Sequence, residues 1–150
     1  MTKISKNAFD TLSQSFEDCK DSLPVYQNHV QSGLSITVQI GEYILESGHD
    51  RLDNVHLKAL DEIKRDVKIC QSRLTCLNKK FALCDAAILR AIVFRAKKGY
   101  DRETWQGHAL SCQNMFLEWW NEKVEFTKYF RACADKWTAM EQNIFDFLGK

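Results

Sequence analysis

The sequence predicts an all-α protein: an elongated antiparallel bundle of long helices, three rods of which the first is broken at Pro24. Three observations carry this. Apolar side chains recur between residues 101 and 148 at alternating steps of four and three: Trp105, Ala109, Cys112, Phe116, Trp119, then Phe126, Phe130, Cys133, Trp137, Met140, Ile144 and Phe147. That 3.5-residue period, interrupted by Lys123, marks a long helix buried along one seam. A second series, from Leu60 through Ile63, Val67, Cys70, Leu74, Leu77, Phe81, Cys84 and Ile88 to Ala91, keeps the same steps. Finally, 150 residues contain one proline and six glycines, too few turn residues for an all-β fold.

The elements follow in order. Ser5 can cap the first helix, with Ile4 and Phe9 placed as a hydrophobic staple. Its stripe is Phe9, Leu12, Phe16, Cys19 and Leu23. Pro24 should end it, because proline has no N–H to donate and disfavours helical backbone at Leu23. Proline suits a first turn, so a second helix begins there and runs to Ser47. Ile36, Val38 and Ile40 alternate as they would in a strand. No other segment reads as a partner strand, however, and Tyr26, Val30, Leu34, Thr37, Gly41 and Ile44 share one helical face.

Gly48 is placed to terminate that helix, and Asp50 to cap the next, with Asp53 three residues on. The third helix should run from Arg51 to Lys98, where two lysines complement the dipole and Gly99 closes the end. Asp101 caps the last helix, Tyr100 and Trp105 form a second staple, and Gly149 ends it. Turns this short make neighbours antiparallel. Residues level across the second turn then have numbers adding to about 200. The alternative is a compact four-helix bundle, which needs breaks near Asn78 or Asp85 and near Asn121; no proline supplies them. A chain of this length suits a single domain spanning residues 1–150.

Composition excludes several function classes. A net charge of +1 makes nucleic acid an unfavoured partner. No apolar run approaches the ~18 residues of a membrane span, and the N-terminus lacks a signal-peptide core, so a cytoplasmic location is expected. Five of the six cysteines (19, 70, 84, 112, 133) fall on apolar stripes, where reduced thiols act as small hydrophobes. Cys76 lies off the stripe and should be the exposed one.

Glu46-x-x-His49 and Asp53-x-x-His56 have the spacing of di-iron bundle ligands, but they flank a turn instead of facing each other mid-helix. There is no phosphate loop, GxSxG, HExxH or EF-hand loop. The expectation is therefore no metal, no cofactor, no catalytic residue and no enzyme.

Two features call for a partner. Antiparallel packing gathers Lys3, Lys6, Arg90, Arg95, Lys97, Lys98 and Arg102 at one tip, against Asp10, Asp101 and Glu103. Such a tip can meet an anionic membrane surface or an acidic partner. Residues 86–96 read AAILRAIVFRA, and a helix apolar all round is covered all round. Ile88, Leu89, Ile92, Val93 and Phe94 are thus candidates for a protein interface.

The reading that results is a non-catalytic protein–protein interaction module, an adaptor or assembly subunit, binding another protein or itself. The alternatives are a peripheral membrane-binding helical protein using the basic tip, and a small-ligand carrier or enzyme with a core site. Lys123, the charge on the last seam, is expected to turn its amine to Asp21 and pack its stem on Trp119 or Trp120.

Overall fold

The computed structural model describes residues 3–149, the His49 side chain excepted. It contains three long helices: α1 (Lys6–Gly48), α2 (Asn54–Ala96) and α3 (Arg102–Leu148). A 3₁₀ turn, His49–Arg51, joins the first two. The fold is an all-α helical bundle, and no strand occurs among the described residues. Three helices, not four, settle the choice between the two architectures.

The helix ends follow their local chemistry. Ser5 Oγ accepts the Ala8 N–H at 3.0 Å, and Asp101 Oδ2 accepts the Thr104 N–H at 3.1 Å, each the bond of an N-cap. The cap of α2 is Asp53, whose Oδ1 accepts the His56 N–H at 2.9 Å. Asp50, the residue expected there, lies in the 3₁₀ turn. Gly99 takes φ +73°, a conformation that costs glycine little and other residues more.

The expected break at Pro24 is not there: α1 runs through it. Pro24 cannot donate to the Lys20 carbonyl. It sits on the exposed face, however, with buried Leu23 beside it and buried Val30 further on. Water can serve the freed carbonyl, and the packed stripe on both sides offsets the missing bond. The strand-like alternation also yields to helix. Leu34 and Thr37 face the core, whereas Ile36 and Val38 are exposed. Thr37 Oγ1 donates to the Gly33 carbonyl at 2.9 Å. Gly33 leaves room for the Phe130 ring, whose Cζ would lie 3.0 Å from an added Cβ.

The chain packs as two compact units, each using all three helices. Unit 1 holds the residues up to Pro24 with 75–125, and unit 2 holds 25–74 with those from 126 on. Within unit 1, Phe16 stacks on Phe81 at 4.5 Å and Phe81 meets Trp119 at 4.9 Å. Arg95 reaches Asp10 at 2.8 Å and Lys20 reaches Asp85 at 3.2 Å. Numbers rise on α1 as they fall on α2, so these helices are antiparallel. Ile4 and Gln106 exchange two hydrogen bonds, N–H to Oε1 at 2.9 Å and Nε2–H to the Ile4 carbonyl at 2.7 Å.

Within unit 2, Ile44, Leu52, Leu60 and Ile144 form one buried cluster. Trp137 Nε1 donates to Asp66 at 3.2 Å, and Lys136 pairs with the same carboxylate at 2.6 Å. The pairs 66 with 137 and 81 with 119 both keep the register read from the second turn.

Candidate interaction surface

The side of α2 within unit 1 that faces its neighbours is formed by Phe81, Cys84, Ala87, Ile88 and Ala91, all buried. Their spacing is that of one helical face. Most of the remaining positions look outward. Ala82, Leu83, Ala86, Leu89, Ile92, Val93 and Ala96 are all exposed. Leu89 shows 52% of its surface and Val93 58%. A contiguous apolar stripe of this kind is uncommon on a solvated face.

The charges around the stripe are uneven. Arg90 and Lys97 are exposed on its α3 side, with Lys98 following. Asp85, the acid on its other edge, is half-buried and engaged by Lys20 at 3.2 Å; this bond is the main cause holding the Lys20 ammonium above its ordinary pKa. A shallow groove of about 380 Å³ lies beside the stripe, lined by Leu89, Arg90, Val93, Phe94, Lys97 and His108. Its floor is fixed by Phe94, held 5.1 Å from His108 and 6.2 Å from Tyr100, ring to ring. The groove thus joins an apolar floor to a cationic rim.

Two of the expected contact residues are placed otherwise. Ile88 is 2% exposed, so it belongs to the core and not to an interface. Its position, four after Cys84 and three before Ala91, aims it inward. Arg95 is drawn against the body of the unit. Its guanidinium pairs with Asp10 and lies 5.3 Å from the Phe9 ring centroid and 5.5 Å from that of Trp105. Lys3, Lys6, Arg90, Lys97, Lys98 and Arg102 are exposed. Near Lys3 and Arg102, Asp101 is occupied as a helix cap, and the Thr104 hydroxyl and N–H hold its carboxyl below the usual range.

Sequence reasoning missed Ala82 and Leu83, although each repeats the outward spacing one turn or more before Leu89. It also missed the cluster in unit 2 where Asp66 holds both Trp137 and Lys136. Asp66 was the signal available: an acid immediately before Val67 on the buried stripe needs a partner.

Burial pushes the thiols of Cys70 and Cys84 up to about 12 and that of Cys112 to about 11. Thiols held protonated are poor nucleophiles and poor metal ligands. Among the described residues no group of three His, Cys, Asp or Glu side chains is placed to hold a metal. His56 bonds Asp53 and stacks on Phe147 at 4.3 Å, while the His49 side chain lies outside the described residues. Lys123 sits over the indoles, its Nζ 5.5 Å from the Trp119 centroid and 5.4 Å from that of Trp120. The ammonium thus meets the tandem tryptophans, whose faces stabilise its charge as cation–π partners.

No helix is long and apolar enough to cross a membrane among the described residues. Set against family models, curated proteins and solved structures, the chain finds no significant match in any of the three.

Proposed function

We propose that the protein is a non-catalytic interaction module, an adaptor or assembly subunit, that engages a protein partner through the outward face of α2 in unit 1. One observation carries this reading: seven exposed apolar residues follow one another on that face between Ala82 and Ala96, bordered by cations. The protonated thiols and the fully engaged Asp66 support it, because neither offers a group poised for chemistry. A cytoplasmic setting suits free cysteines and is part of the same proposal.

The test is affinity capture from the native host with the wild-type chain and with Leu89→Glu/Val93→Glu. Both residues are more than half exposed, so the variant should keep its helical circular dichroism while losing the captured protein. Retention of every captured protein by the variant would sink the reading.

The cations bordering the same stripe favour a second reading, a peripheral membrane contact, since basic residues beside exposed apolar ones are the pattern of interfacial helices. Co-sedimentation with phosphatidylserine-containing vesicles at two salt concentrations tests it. Binding should fall with salt and with Lys97→Glu/Lys98→Glu. Vesicles that leave the wild-type chain in the supernatant at low salt would remove this reading.

A further inference from the structure

The exposed stripe has a pattern that identifies one occupant. Lys79, Ala82, Ala86, Leu89, Val93 and Ala96 are all exposed and succeed one another at steps of three and four. This is a second heptad seam on α2, turned away from the one that builds the core. Large and small residues alternate along it in a particular way. Turn a second α2 antiparallel, with the two-fold axis between Ala87 and Ile88, and every layer joins one large residue to one small. Leu89 meets Ala86, Val93 meets Ala82, and the stem of Lys79 meets Ala96. Interdigitation of that kind is what close helix packing requires.

The charges agree with the same arrangement. Arg90 and Lys97 lie on the α3 side of the stripe. In the antiparallel pair Arg90 comes level with Asp85 and Lys97 with Asn78 of the second copy, not with their own equivalents. There the adjoining α3 surface carries Glu118 and Glu122, two carboxylates that share the single ammonium of Lys80. Both carboxylates are exposed, so the incoming Lys97 meets opposite charge on that side. A parallel pair would instead set each basic end beside the other and stack Lys79 on Lys79.

We infer that the outward face of α2 in unit 1 pairs antiparallel with the same face of a second copy of this chain. The inference rests on the reading of that face as an interaction surface and names its partner. The six layers span roughly 26 Å of helix, and the contact is isologous, so it closes as a dimer and does not propagate.

Sedimentation velocity over about a hundredfold range of micromolar concentrations tests it. The mass should rise from the 17.4 kDa monomer towards twice that value, and the dimer should weaken with salt. Leu89→Glu should remain monomeric throughout with unchanged circular dichroism. Orientation is read by mild oxidation in a Cys76→Ser background. Ala82→Cys/Val93→Cys should give covalent dimers, whereas Ala82→Cys alone should not, because only a parallel pair sets residue 82 against itself. A wild-type chain that stays monomeric, a dimer indifferent to Leu89→Glu, or ready cross-linking of Ala82→Cys alone would each overturn the inference. If the wild type stays monomeric while Leu89→Glu/Val93→Glu loses a captured host protein, the face binds a different partner and the interaction reading stands. If neither dimer nor captured protein is lost, both fail.

Discussion

At the scale of single residues, the cysteines sort by environment, with Cys19 between the extremes. Cys76 is exposed, whereas Cys70, Cys84, Cys112 and Cys133 are buried, and burial raises the first three of these buried thiols far above neutral pH. The thiolate is the reactive form. With one equivalent of maleimide at pH 7, Cys76 should therefore be labelled first, with the buried four reacting only on unfolding. Peptide mapping by mass spectrometry checks this, and early label on Cys70 or Cys84 would mean that its stripe opens. Most of this was legible in the sequence, because a cysteine on an apolar heptad position has only the core to face. Lys123 was legible in part. Its stem was expected on the tandem tryptophans, and the structure sets its ammonium over both indole faces, a cation–π arrangement that the apolar spacing alone does not announce.

At the scale of elements, the helix ends were readable to within a turn, because Ser5 and Asp101 each bond an N–H three residues on. The continuity of α1 was not readable. Proline propensity is a local quantity, and the burial of Phe16, Leu23, Val30 and Leu34 on one continuous stripe is a tertiary one that outweighs it. A measurable reserve follows. Pro24→Ala restores the bond to the Lys20 carbonyl without touching the core, and should raise stability by about 1–3 kcal/mol in urea unfolding.

The caps set a pH dependence with a definite sign. Hydrogen bonds from the Thr104 hydroxyl and N–H hold the Asp101 carboxyl below its ordinary pKa, and the His56 N–H does so for Asp53. Their contribution is therefore complete above the ordinary carboxylate range and is lost as pH falls through the lowered values. Glu141, raised by burial, acts in the opposite sense. Thermal melts from pH 7 to pH 3 should show Tm falling, and Asp101→Asn should flatten that fall. A slope unchanged by Asp101→Asn would remove the cap from the account.

At the scale of the whole molecule, the fold class was legible because two long seams and two short turns admit few arrangements. The interaction face was legible only as a composition. Residues 86–96 are apolar on every side, so periodicity alone could not say that Ile88 turns in while Leu89 and Val93 turn out. Only the position of Phe81 and Cys84 against α1 and α3 fixes the rotation of α2.

The turn at residues 97–101 bears on the order of folding events. Phe94, Tyr100 and His108 pack around it as near neighbours in the chain, whereas the Ile4–Gln106 clasp joins residues 102 apart. Closing the short loop forfeits far less chain entropy than closing the long one. In unit 1, α2 and α3 should thus be associated at the transition state while the N-terminal turns of α1 are still free. Phe94→Ala should slow refolding, and Ile4→Ala should leave refolding almost unchanged and speed unfolding. Stopped-flow chevrons of the two variants would show the reverse if the N-terminus were part of the nucleus. On this order the Ile4 clasp is a latch, the last contact made and the first released.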